Sequence, residues 1–300
     1  MKILCKRKNI YLDYNILFTA IKHDVLEKYL LNTSNTLTRY LYSPAHIEEI
    51  YKSLTDENFT IRSDAIAVLC LLDKITNSVG LTPTLHGIMI RRESLLQCLY
   101  RVHSTDTREK VQIDGVYKFY VDKTHKKALS SLDKTITNLS NADSQEIWGN
   151  RYIVSLIEDF NKNADQIISM YNQSDFVQEM LYQDLDLRLP QSFRLKSGNY
   201  QHLKKSHTEL EYSIEILFRI LNYCGYNSEK AEKTAVSAIH DVSHSIYGTK
   251  ANYLVTADKK FYKKCSAIYE YLGVPTKTIL TSNDTDKIID EISKVISGNA

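Results

Sequence analysis

Glycine and proline are scarce in this 300-residue chain, nine and four respectively. Their scarcity argues against a many-turned β sandwich and against low-complexity or disordered sequence, and it favours long helices. The five cysteines (Cys5, Cys70, Cys98, Cys224, Cys265) are far apart, odd in number and without a CxxC pair, so they read as reduced thiols in a cytosolic protein. Long apolar runs are missing too. The longest, Ala65 to Leu72, is far too short to cross a bilayer, and Lys2, Lys6, Arg7 and Lys8 lead into Asp13 rather than into the apolar region of a signal peptide. A cytoplasmic protein with no membrane partner is expected. Neither charge sign dominates: 38 Lys and Arg stand against 36 Asp and Glu, so any nucleic-acid surface has to be local.

Apolar residues make up 43% of the chain, enough for a sizeable core. Residues 9 to 14 form a plausible buried strand, and Asn15 to Leu31 carries helical spacing in Ile16, Leu17, Ala20, Ile21, Leu26 and Leu30. Tyr40-Leu41-Tyr42 is a second short strand, followed by Ser43 as an N-cap and Pro44 at the first position of a helix reaching Leu54. Near the other end, a helix over Ala231 to Tyr247 precedes a strand over Asn252 to Thr256. A helix over Lys259 to Leu272, stopped by Gly273, then leads to a strand over Thr276 to Leu280 and a helix over Thr285 to Ile296. Alternating strands and helices predict a parallel sheet covered by helices. Between these ends the apolar spacing is helical over Ile61 to Ile75, Ile88 to Val102, Ile147 to Tyr171 and Leu210 to Leu221, with Val111 to Val121 as the only β-like exception. The expected organisation is an α/β domain of residues 1–58 and 225–300, interrupted by a mostly helical insertion at 59–224.

Ligand sites in open parallel sheets lie beyond the carboxyl ends of the strands. Asp13 and Asp258 occupy such ends, the adjacent Glu48 and Glu49 lie in the helix leaving the second strand, and Asp241 lies in the helix preceding the strand that ends near Asp258. Carboxylates brought together raise one another's pKa unless a cation neutralises them, and oxygen-only ligation favours Mg²⁺ or Mn²⁺ over Zn²⁺. Such a site suits phosphodiester hydrolysis. Each acid also has a plainer reading: Asp13 and Asp258 both stand where an N-cap is expected.

Four blocks, Tyr11-Leu12-Asp13-Tyr14-Asn15, Ser43-Pro44-Ala45-His46-Ile47-Glu48-Glu49-Ile50, His240-Asp241-Val242-Ser243-His244 and Leu254-Val255-Thr256-Ala257-Asp258, resemble the acidic blocks of PIN-domain nucleases in order and context. The resemblance covers the two terminal segments only. It implies a three-layer α/β/α fold with a parallel sheet and a Mg²⁺- or Mn²⁺-dependent ribonuclease. The metal-site and catalytic carboxylates would be Asp13, Glu49, Asp241 and Asp258, with Asn15 and Thr256 as supporting polar groups. Glu48 stays open as the second acid, since adjacent helical residues point about 100° apart. His244, one helical turn from Asp241, is placed to contact a phosphate or orient a carboxylate. The resemblance leaves RNA and DNA undistinguished and leaves open a non-catalytic regulatory module. A toxin or defence effector held by an inhibitory or regulatory protein partner is a further expectation for this kind of nuclease.

The stretch Arg188 to His207 carries Arg188, Arg194, Lys196, Lys204 and Lys205 without an acid, together with Phe193 and Tyr200. Cations that bind phosphates and rings that stack unpaired bases make it a candidate guide for single-stranded nucleic acid. Arg91-Arg92 is a weaker candidate, because acids lie nearby. Arg39 and His46 match the R-x6-H spacing of HEPN ribonucleases, but Arg39 precedes a strand rather than lying in a helical bundle.

Overall fold

The computed structural model describes residues 7–34, 38–107, 196–223, 226–227 and 232–298. Its centre is a parallel sheet of β1 (Lys8–Leu12), β2 (Thr38–Leu41), β5 (Tyr253–Thr256) and β6 (Lys277–Leu280), in the order β2-β1-β5-β6. The antiparallel hairpin β3 (Val79–Thr84) and β4 (Gly87–Arg92) joins its edge through a bridge between Tyr42 and Gly80.

Side chains alternate across a strand, and the sheet accordingly divides two cores. Ile10, Leu12, Tyr40 and Val255 point into one, built with α1 (Tyr14–Ala20), α2 (Asp24–Thr33), α4 (Phe59–Thr76), α5 (Leu95–Thr107) and α10 (Thr285–Ser297). Tyr11, Leu41 and Leu254 point into the other, built with α6 (Tyr200–Leu203), α7 (His207–Tyr223), α8 (Glu232–Gly248) and α9 (Lys259–Leu272). The described parts of 59–107 and 196–223 contribute to these same two cores: Val68, Leu72 and Cys98 to the first, Leu210, Ile214 and Leu217 to the second.

The elements follow from local chemistry. The helix expected over Asn15–Leu31 is two helices, because the chain turns at Ile21-Lys22-His23 and restarts with Asp24 and Glu27 in the first turn of α2, where the helix dipole favours acids. In α3 (Pro44–Leu54), Ser43 and His46 form a capping box, with the His46 ring accepting the Ser43 backbone N–H at 3.1 Å. α4 stops at Asn77 in the left-handed region. The helix expected from Ile88 begins only at Leu95, because Gly87 to Arg92 is strand β4. Tyr42 sets that hairpin: Leu81 N–H donates to Tyr42 O at 2.8 Å, and a Cβ on Gly80 would lie 2.6 Å from the Tyr42 ring. The β-like stretch Val111–Val121 and the helical stretch Ile147–Tyr171 lie outside the described residues.

Cys70, Cys98 and Cys265 are free thiols. No helix among the described residues is long and apolar enough to cross a membrane.

Helix α1, after β1, packs on one face of the sheet, and α9, after β5, packs on the other. The chain diverges between these adjacent strands, which opens a crevice at their carboxyl ends.

Candidate functional site

Asp13 follows β1 at that crevice and is 4% exposed. Its backbone N–H donates to Val255 O at 2.9 Å, tying the start of α1 to β5. Although it occupies the N-cap position of α1, its side chain makes no cap hydrogen bond. The carboxylate instead accepts the Thr256 hydroxyl at 2.7 Å on Oδ2, with Asn15 Nδ2 at 3.4 Å. Burial raises the Asp13 pKa and the Glu49 charge adds to it, against the pull of His244 and the Thr256 hydrogen bond.

Thr256 also fixes Asp258. The Asp258 N–H donates to Thr256 Oγ1 at 3.0 Å, so that hydroxyl accepts from one residue while donating to the other. One buried side chain thus links the two strand ends. Unlike Asp13, Asp258 is a working N-cap: its Oδ1 accepts Lys260 N–H at 2.7 Å and Phe261 N–H at 2.9 Å.

Asp241, on α8, is half-buried and is an electrostatic neighbour of Asp13 and Asp258. Burial lifts its pKa well above the usual carboxylate range, and the charges of those two acids lift it further, with Lys264 and His244 opposing. Glu49 completes the set from α3. Burial pushes its pKa up, but His244 outweighs that and holds it low. Of the adjacent acids Glu49 is the one facing His244 and Asp13; Glu48 is buried and is an electrostatic neighbour of Tyr11 and of Cys98 on α5.

His244 is 1% exposed and its pKa is raised. Burial disfavours the imidazolium, but Glu49, Asp13 and Asp241 together win. Its Nε2–H donates to Glu49 Oε2 at 3.0 Å, and Nδ1 meets the Tyr11 hydroxyl at 2.7 Å. In the imidazolium, Nδ1 donates to Tyr11, whose own proton then goes to Ser43 Oγ at 2.6 Å. The chain of bonds ends at His46. Its Nε2 lies 2.7 Å from the Leu12 carbonyl, which only accepts, so Nε2 carries the proton and Nδ1 receives the Ser43 N–H. Burial keeps that ring neutral, with a pKa of about 3.

No family model, curated protein or solved structure matches the chain. The site is therefore read from its own chemistry.

Sequence pattern points to Asp13, Glu49, Asp241 and Asp258, and the fold brings Asp13 within electrostatic reach of Glu49, and Asp241 within reach of Asp13 and Asp258. It missed Tyr11, Ser43 and Lys264. Tyr11 reads as one more β-prone apolar residue, and Lys264 as part of a solvated lysine run, although it is fully buried with Nζ 5.8 Å from the centre of the Phe218 ring.

The described part of the basic segment, 196–207, is not gathered at this crevice. Ser197 Oγ and Gly198 N donate to Tyr271 O, which places Lys196 at the far end of α9 from Asp258. Fourteen residues at about 1.5 Å each make that roughly 20 Å. Tyr200 is buried and donates to Thr249 O at 2.8 Å, so its ring is closed to a base. Lys204 is an electrostatic neighbour of Lys250, where the chain enters β5, and Lys205 is exposed. Arg188, Phe193 and Arg194 lie outside the described residues.

As to a metal, among the described residues no three His, Cys, Asp or Glu side chains already stand close enough to share an ion. The donor chemistry nevertheless fits a hard divalent cation: Asp13 and Asp241 offer buried oxygens whose ionisation neighbouring acids oppose. Asp258 spends Oδ1 on the α9 cap and Glu49 spends Oε2 on His244, which leaves one oxygen of each for a shared site.

Proposed function

We propose that this chain is a PIN-like α/β/α nuclease, a Mg²⁺- or Mn²⁺-dependent phosphodiesterase acting on RNA. One observation carries the reading: carboxylates from four elements lie at the switch point of a parallel sheet, and burial raises the pKa of Asp13 and of Asp241, with the Glu49 charge adding to the first and the Asp13 and Asp258 charges to the second. A structural ion-pair network has no need of that repulsion. Relief by a cation explains why Asp241 stands where the charges of Asp13 and Asp258 are costly.

Asp13 and Asp241 would hold the ion, with Asp258 and Glu49 beside them. The bound cation supplies Lewis-acid stabilisation of a phosphate oxygen and acidifies a water. The chain's own residues do the positioning. Thr256 holds Asp13 Oδ2 in place, and its acceptance of the Asp258 N–H locks β5 to the start of α9. His244 fixes Glu49 by a charge-assisted hydrogen bond and is itself fixed from behind by Tyr11 and Ser43. At 1% exposure His244 is a positioning residue, out of reach of a phosphate.

Labelled RNA and DNA of one sequence, incubated with the protein and Mn²⁺, test the proposal. Manganese-dependent cleavage of RNA supports it, and cleavage of DNA alone moves the substrate to the alternative. The absence of either reaction, with no Mn²⁺ bound in calorimetry, favours a regulatory module. The bonds of Asp258 to the start of α9 and of Glu49 to His244 fit that second reading, since both carboxylates already have partners. Control by a protein partner is tested by co-purification from cells.

A further inference from the structure

A basic cavity lies at the opposite end of the sheet. Its volume is about 230 Å³, and it is lined by Arg7, Arg39, Arg91 and Arg92, with Ser34, Thr38, Thr76 and Asn77 as polar neighbours and, among the described residues, no acidic side chain in its wall. Arg7 precedes β1, and Thr38 and Arg39 open β2. The cavity therefore sits at the N-terminal ends of strands whose carboxyl ends carry Asp13 and lead to Glu49. The five residues of β1, at about 3.3 Å each, separate the two regions by roughly 15 Å. Arg92 comes from β4, so only the hairpin brings it to Arg7 and Arg39.

These arginines are not balanced locally. Arg7, Arg39 and Arg92 meet no carboxylate among the described residues. Arg91 donates from Nε to Thr82 Oγ1 at 2.9 Å and stands 4.0 Å from Glu93, which is already held at 2.8 Å by Arg101. Arg39 is half-buried, so its charge is partly withdrawn from water with no carboxylate partner among the described residues. Adjacent strand residues point to opposite faces, and Arg91 is turned to Thr82, so the guanidinium groups left for the concavity are those of Arg7, Arg39 and Arg92, which repel one another unless an anion joins them. Their forked donors match the oxygens of phosphate. The Ser34, Thr38 and Thr76 hydroxyls donate to the Leu31, Thr33 and Leu72 carbonyls, so of the polar neighbours only the Asn77 amide adds a donor.

From this arrangement we propose that the cavity binds vicinal phosphate groups, the di- or triphosphate portion of a ligand. The volume is below the roughly 300–1,000 Å³ of pockets that enclose a whole small molecule, so the rest of the ligand extends outside. Two sources share this chemistry, a free nucleoside triphosphate and the 5′-triphosphate end of an RNA. The site is independent of the carboxylate crevice and stands whether or not that crevice hydrolyses phosphodiesters.

The test uses the full chain and isothermal titration with sodium tripolyphosphate in metal-free buffer. The expected result is saturable binding, weakened about tenfold or more in Arg92→Gln, an exposed position, and in Arg39→Gln. Asp13→Asn binds like the parent. No saturable binding by the parent, or unchanged affinity in both arginine variants, overturns the proposal. Parallel titrations with ATP and a 5′-triphosphorylated decaribonucleotide identify the source: tighter binding of either than of its counterpart lacking phosphates supports the site, and equal binding of both pairs counts against it.

Discussion

Replacing Thr256 by valine removes one hydroxyl and almost no volume, and it tests the join between β1 and β5. The residue is fully buried, so neither bond can be remade with bulk water. Two hydrogen bonds are lost: the donation to Asp13 Oδ2 at 2.7 Å and the acceptance from Asp258 N–H at 3.0 Å. A bond to a charged group contributes about 1.5–3 kcal/mol and a neutral one about 1, so the expected loss is roughly 2–4 kcal/mol at neutral pH. The pH dependence carries the sharper signature. The Thr256 bond favours ionised Asp13, so its removal raises a pKa already above the usual 3.8. An aspartate whose folded pKa exceeds its unfolded one contributes stability at low pH that is lost as pH rises through the interval between them. The gap between parent and Thr256→Val thus widens from acid to neutral pH. Urea unfolding followed by circular dichroism from pH 4 to 8 measures it, with Thr256→Ser as the control that keeps the hydroxyl and gives up about 0.8 kcal/mol of methyl burial. A loss under about 0.5 kcal/mol, or one independent of pH, refutes the reasoning.

Asp241→Asn is expected to raise the melting temperature at pH 7 while abolishing activity, because its ionised form is disfavoured by burial and by Asp13 and Asp258, and this penalty grows as pH rises past the ordinary carboxylate range; a lower melting temperature counts against it. Mn²⁺ should stabilise the parent against heat, by about 2.7 kcal/mol at a hundred times its Kd, and leave Asp241→Asn unmoved. Gly80→Ala should cost about 1–3 kcal/mol in thermal unfolding, since the added Cβ meets the Tyr42 ring at 2.6 Å and that ring is held by its hydroxyl donating to Glu93 O at 2.6 Å. A neutral effect would show that the hairpin gives way.

Where local signals agree with the fold, the sequence is legible. The strand before Asp13, the Ser43-Pro44 helix start and the Lys259–Leu272 helix ended by Gly273 all appear as expected, because each combines apolar period with a start or stop residue. The β3–β4 hairpin was hidden. Its turn is Leu85-His86 rather than an Asn-Gly pair, Pro83 interrupts β3, and Ile88 and Ile90 mimic the edge of a helix. Asp13 and Asp258 look alike as caps in sequence, and only the fold separates them: one carboxylate caps α9 and the other turns to Thr256. The Tyr11–His244 bond joins residues 233 apart, a separation no local pattern encodes.

The central claim is that the crevice at the ends of β1 and β5 is a divalent-cation phosphodiesterase site. It is tested most directly by the rate of RNA cleavage with Mn²⁺ for the parent, Asp13→Asn and Asp241→Asn, each shown to be folded. The account predicts cleavage by the parent that chelator abolishes, and loss of at least a hundredfold in each variant, about 2.7 kcal/mol of barrier. Parental rates in both variants, or cleavage that survives the chelator, would contradict it.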